Sequence, residues 1–263
     1  MKKIFYLLLL IAFQFSMSQS AKITAVETAL LNLEADDFIG VDGFGNCFYT
    51  KNNTVLKKVD SAILQYQNLS LGKITKVDIL NPLKVILFYK EFNSIVVLDN
   101  QMNEIQRVDF SKLEDSIVAS AVGISGQNKV WVFNSMNQQI GLYDLTNNSY
   151  QNLGNPIKGE LLYYQSDFNY FHWIDNQHQW NTCTIFGRVF SNGKIEEIEA
   201  IQLIDIDKVL FVKNNSLYLN DIKQNKVYEI EIVEKSFKKF YYKDQILSIF
   251  TDKGITNYKI TIP

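Results

Sequence analysis

Short apolar runs alternate with polar turns along nearly the whole chain, and one aromatic in each run recurs at almost constant spacing. Tyr49, Tyr89, Phe133, Trp173, Phe211 and Phe250 are separated by 40, 44, 40, 38 and 39 residues. Four residues beyond each lies a turn position: Asn53, Asn93, Asn137, Gln177, Asn215 and Gly254. The runs are rich in β-branched and aromatic residues and bounded by Asn, Asp, Gly and Lys, which is how half-buried strands read. A period of about 40 residues carried by strands is the period of a β-propeller blade.

Each period divides into four strands. The second strands are expected at 47–51, 85–90, 130–134, 170–174, 209–213 and 246–251. The third strands are expected at 55–59, 95–98, 140–143, 182–186, 217–219 and 255–260. Four of these third strands run into an aspartate, Asp60, Asp99, Asp144 or Asp221, which can bond its own backbone and start a turn. The inner strands are less uniform, at 38–41, 74–79, 119–124, 161–164, 201–204 and 237–242. The last period has only three strands, while 23–33 precedes the first with no partner. Placing 23–33 as the outer strand of the last blade closes the ring and removes an exposed edge; a short helix is the alternative. The expected fold is all-β, a single six-bladed propeller over 19–263; five or seven blades, or a large β-sandwich, are the competing architectures.

The first residues change the picture by assigning a compartment. Lys2 and Lys3, an apolar stretch from 4 to 13 and small residues at Ser16 and Ser18 make 1–18 a signal peptide cleaved before Gln19. The stretch is too short for a permanent span, and no cysteine follows it to carry a lipid. The chain is therefore expected to be exported to the periplasm or the outer-membrane or cell surface. A net charge of −2, from 26 basic and 28 acidic residues, argues against nucleic acid as a partner. Cys47 and Cys183 fall in the first and fourth blades, too far apart for a disulfide.

The chemical inventory is sparse. His172 sits within a strand and His178 in a turn, neither in a nucleophile elbow. No Cys-x-x-Cys or His-x-x-x-His pair offers a soft metal site. Propeller topology puts Asp42, Asp60, Asp99, Asp144, Asp167, Asp205, Asp221 and Asp244 on one rim, with Lys51, Lys90, Lys213 and Lys253 on the other. The long turn 175–181 carries His178 and Trp180, and Trp180 either serves as an exposed anchor or folds back on a neighbouring blade.

Asp42-Gly43-Phe44-Gly45-Asn46-Cys47-Phe48-Tyr49 resembles the step seen in NHL-type and gluconolactonase-like six-bladed propellers. Val96-Val97-Leu98-Asp99 and Gly141-Leu142-Tyr143-Asp144-Leu145 resemble third-strand endings of WD40-like repeats. The lactonase resemblance implies a channel Ca²⁺ held by acidic and Asn side chains, but it also requires an inward glutamate that 38–41 lacks. The reading is a non-catalytic interaction or assembly module of the bacterial envelope, without cofactor, binding another envelope protein through Asp42, Asp99, Asp144, Asp221, His178 and Trp180. A Ca²⁺-dependent propeller hydrolase and a carbohydrate-binding module using Trp180 are the alternatives.

Overall fold

The computed structural model describes residues 21–113, 117–195, 200–234 and 236–263. Residues 1–18, expected as a signal peptide, and the expected cleavage site before Gln19 lie outside them. Two strands come first, β1 (Ala21–Thr24) and β2 (Val26–Leu31). Blade 1 is β3 (Asp37–Val41), β4 (Cys47–Lys51), β5 (Thr54–Val59) and β6 (Ala62–Tyr66). Blade 2 is β7 (Lys76–Asn81), β8 (Lys84–Tyr89), β9 (Ser94–Asp99) and β10 (Glu104–Asp109). Blade 3 is β11 (Ala119–Ile124), β12 (Lys129–Asn134), β13 (Gln139–Asp144) and β14 (Ser149–Leu153). Blade 4 is β15 (Leu161–Ser166), β16 (Tyr170–Asp175), β17 (Gln179–Thr184) and β18 (Val189–Lys194). Blade 5 is β19 (Ala200–Leu203), β20 (Lys208–Lys213), β21 (Ser216–Asp221) and β22 (Lys226–Glu231). The last three strands, β23 (Lys239–Lys243), β24 (Ile246–Thr251) and β25 (Gly254–Lys259), begin blade 6.

Blade 6 is completed by β2, which pairs antiparallel with β25 from Val26↔Lys259 to Leu31↔Ile255. The expected closure is therefore present. The segment 23–33 is nevertheless two strands, not one. It breaks at Ala25, and β1 adds to blade 5 as a fifth strand, parallel to β22. The N-terminal segment thus ties two blades together.

The turn asparagines explain the regularity seen in the sequence. Asn52 and Asn53, like Asn214 and Asn215, have φ between 51° and 61°, the left-handed pair that a two-residue hairpin demands. The Asn53 amide also donates to Gly72 O (2.8 Å) and accepts from Ile74 N (3.0 Å), clasping the chain on its way to blade 2. Asn93 repeats this toward blade 3 by accepting from Ala119 N and donating to Ile117 O.

The aromatic ladder does not keep one orientation. Tyr89 packs toward the preceding blade with Phe48, and Trp173 likewise with Trp131 and Phe133. Phe133 and Phe250 face the following blade instead, Phe250 against Phe38 and Tyr49. The ladder residue sits at different distances from its hairpin turn (Tyr89 pairs with Ser94, Phe133 with Ile140), and one residue of slip turns a strand side chain to the other face.

Candidate functional site

Turns joining inner to second strands and third to outer strands share one rim, here called the upper rim. The aspartates expected there are mostly structural. Asp42 accepts from Phe44 N, Asn46 N and Asn46 Nδ2, all at 2.9 Å. Asp99 does the same with Gln101 N, Asn103 N and Asn103 Nδ2. Asp144 clasps Thr146 N, Asn147 N and Asn147 Nδ2. An Asp followed by Asn three or four residues later was legible in the sequence as a closed turn, and the clasp occupies the carboxylate that an ion would need. Among the described residues no three His, Cys, Asp or Glu side chains converge as metal ligands.

Two of the expected surface aspartates are not on the surface. Asp42 is 3% exposed, with the equally buried Lys57 ammonium 3.8 Å away. Asp221 is buried beside Lys208, also at 3.8 Å, and accepts from Gln224 N. Asp42 offsets a lysine buried with it and Asp221 a half-buried one, rather than contributing to an acidic face. Asp99 and Asp144 are partly buried, and Asp60, Asp205 and Asp244 are exposed.

His178 and Trp180 belong to the opposite rim, and Trp180 is not at a loop tip. The turn in blade 4 is shorter than expected and β17 starts at Gln179, not at 182. Ile174 pairs with Trp180, which is 0% exposed and packs with Leu203 and Val209 of blade 5. Burying an indole on the next blade outweighs leaving it in a polar loop. His178 is partly exposed at φ 62°, its N–H bonded to Asp175 O. His172 is buried in the same blade. The Thr182 hydroxyl donates to Asn192 Oδ1 (2.7 Å), so it accepts from His172 Nδ1–H at 2.8 Å, a structural role.

What the sequence reading missed on the upper rim is apolar. Phe44 is 64% exposed and Phe186 is 89% exposed, and Leu83, Phe168 and Ile206 are also exposed. All five lie in upper-rim turns, in blades 1, 2, 4 and 5. The signal was available as single apolar residues inside polar turns, such as Asp167-Phe168-Asn169 and Asp205-Ile206-Asp207. The supporting turns are tightly bonded: Asp167 caps Asn169 N and Tyr170 N, and Ile185 N donates to Asn169 O. These side chains are thus held out by ordered backbone.

The inner strands are stitched together by side chains. Gln165 Nε2 and Oε1 engage Leu203 O and N, and Gln202 does the same with Tyr242 O and N. Asp78 accepts from Ile124 N, and the Tyr241 hydroxyl donates to Val41 O. Lys76 lies 3.7 Å from the Tyr164 ring centroid, and burial pushes its ammonium down to about 8. Lys239 is held by Asp37 at 2.8 Å.

The turn clasps give the fold a pH dependence. The Asn103 amide and N–H hold the Asp99 carboxyl below its usual range, and the N–H groups of Asn147 and Thr146 do so for Asp144. A depressed folded-state pKa stabilises above the unfolded value and is lost as pH falls through the folded value. Urea midpoints are therefore expected to hold from pH 7 to about 5 and to decline below about 4. An Asp99→Ala/Asp144→Ala variant should start lower at pH 7 and lose less between those limits. Parallel declines in the two proteins would remove these clasps as the cause.

Six sheets in a ring, five of four strands and one of five, closed by a strand from the opposite end of the chain, define a six-bladed β-propeller. No protein-family model and no curated protein matches the chain. Similar solved structures include a catalytically inactive virginiamycin B lyase from Staphylococcus aureus with quinupristin, at 14% identity and TM-score 0.57, covering 92% of this chain and 99% of that one. A β-propeller domain of Cps50 (Swd1) from Myceliophteria thermophila gives 10% identity and TM-score 0.57 over 89% and 100% of the two chains. YCF48 bound to D1 peptide gives 14% identity and TM-score 0.52 over 89% and 82%. Identities this low establish the fold alone.

Proposed function

We propose that this chain is an exported, non-catalytic propeller that docks another bacterial envelope protein on its upper rim. The observation that carries the reading is the set of exposed apolar tips, Phe44, Leu83, Phe168, Phe186 and Ile206, on hydrogen-bonded turns. Exposed phenylalanines are unfavourable in water and become favourable when a partner covers them; aromatics are also enriched at interface centres. Because the turns are already ordered, docking loses little conformational entropy. Exposed Asp60, Asp205 and Asp244 on the same rim select a partner whose apolar patch is flanked by basic residues. YCF48 with D1 peptide is a propeller with a bound peptide, which agrees with this use of the fold. Export rests on Lys2, Lys3 and the apolar stretch that follows, and N-terminal sequencing of the protein from cells should begin at Gln19.

The test is affinity capture from the native envelope with the wild-type chain, a Phe168→Ser/Phe186→Ser variant and a lower-rim control, Met136→Ser. One protein captured by wild type and control should fall at least tenfold with the double variant, the loss expected of hot-spot aromatics. All three chains should unfold within about 0.5 kcal/mol of one another, as surface substitutions do. Equal capture by the double variant would sink the upper-rim assignment.

A further inference from the structure

The junction between blades 6 and 1 differs from its neighbours at one register position. Counted from each second hairpin, the fourth cross-strand pair faces the following blade. That pair is Ile86↔Val97 in blade 2, Trp131↔Leu142 in blade 3 and Leu210↔Leu219 in blade 5. In blade 6 it is Ser248↔Asn257, the serine hydroxyl donating to Asn257 Oδ1 at 2.7 Å. Across the junction blade 1 offers Cys47, another small side chain. Two small residues and an amide therefore stand where each other junction carries at least one larger side chain: aliphatic or indole groups in blades 2, 3 and 5, Phe48↔Lys57 in blade 1 and His172↔Thr182 in blade 4. The result is a cavity of about 490 Å³ that opens at the upper rim, within the range of roughly 300–1,000 Å³ that accommodates a small organic ligand.

Its chemistry is divided between body and mouth. Leu31, Phe38, Val41, Ile246 and Ile255 supply apolar wall, while Ser248 and Asn257 supply the polar patch. The Cys47 thiol, pushed by burial up to about 12, stays protonated and adds no charge. At the mouth both lysines are turned to main-chain oxygens: Lys58 Nζ donates to Asp60 O at 2.8 Å and Lys243 Nζ to Val41 O at 3.5 Å. The carboxylates of Asp60 and Asp244 are exposed beside them. Burial pushes the Tyr241 phenol in the cavity wall up to about 12, and Asp78, Asp244 and Asp42 add to the shift.

We propose that the seam cavity between blades 6 and 1 binds a small amphipathic amine, its apolar body against Phe38 and Ile255 and its ammonium at Asp60 and Asp244. This site shares Asp60 and Asp244 with the protein-docking rim, but the cavity that carries it does not depend on that reading. An occupant also bridges the two blades joined at ring closure, so it should stabilise the ring.

Calorimetric titration with 2-phenylethylamine is expected to show saturable one-to-one binding, and the near-isosteric anion phenylacetate should bind at least tenfold more weakly. Ser248→Leu/Asn257→Leu, which installs the pair found at Leu210 and Leu219, should keep or raise the melting temperature and abolish binding. Asp60→Asn/Asp244→Asn should weaken the amine at least fivefold and strengthen phenylacetate binding, since the same carboxylates that hold the ammonium repel the anion. Should the leucine variant fail to fold, the wild-type chain supplies the readout. Alkylation of Cys47 by iodoacetamide at pH 9, mapped by mass spectrometry, should slow at least threefold with the amine, with Cys183 unchanged. No saturable binding, equal affinity for phenylacetate, or undiminished binding to a folded leucine variant would each overturn the assignment.

Discussion

Gly254→Ala is expected to destabilise the ring by about 4 kcal/mol, the sum of backbone strain and overpacking at a site that cannot relax. Gly254 opens β25 at φ +124°, a conformation side chains rarely adopt. A Cβ there would lie 2.2 Å from Leu31 O, 2.8 Å from Leu33 N and 3.1 Å from Asn32 Cα. All three atoms are backbone of the closing segment, so no side-chain rotation relieves the contact. Relief requires β2 to move away from β25, reopening an edge that pairing had covered. The measurement is urea unfolding, with hydrogen exchange to locate the loss. Protection should fall first in β2 and β25 while blades 2 to 4 keep theirs. A loss under 1 kcal/mol would mean that the closing strand contributes little to holding the ring.

Lys57→Met should cost about 3 kcal/mol, the lower end expected when one partner of a buried pair is removed. Lys57 sits with its ammonium 3.8 Å from Asp42, 2.9 Å from Asn100 O in blade 2 and 5.5 Å from the Phe48 ring centroid. Methionine fills the same volume but leaves the Asp42 carboxylate buried with its turn bonds alone. Those three bonds keep the loss from being larger. Asp42→Asn in the Lys57→Met background removes the orphan charge and should recover most of the loss. Additive losses in that double variant, read from urea midpoints, would show that the two groups are not coupled.

The legible part of this molecule is the part with local causes. The second strands were readable because β-branched and aromatic runs end at Asn pairs whose left-handed φ closes a hairpin, as at Asn52-Asn53 and Asn214-Asn215. The unmatched 23–33 segment was readable by counting strands, although its division between β22 and β25 was not. Trp180 shows where local reading stops. A Trp amid Asn, Gln and His looks like a loop residue, and only the apolar wall of Leu203 and Val209 makes the strand extend to include it. The clasped aspartates were visible as Asp followed by Asn three or four residues later, yet the depth of Asp42 depended on Lys57, which pairs across the sheet with Phe48. The exposed apolar tips carried the weakest signal, since a single Phe44 or Ile206 in a turn reads the same whether it packs inward or outward.

Alone, the sequence determined the repeat and the four-strand blade, and pointed to six blades with an N-terminal strand at closure, which the structure then decided against five or seven blades and a short helix. The repeat and the blade follow from interactions within about 40 residues, where hairpin geometry and alternation dominate. Tertiary structure decided which face each aromatic presents, which aspartates are buried against lysines, where the apolar crown lies and that the seam keeps a cavity. These depend on contacts between blades, and a one-residue slip against the hairpin reverses them without disturbing the period.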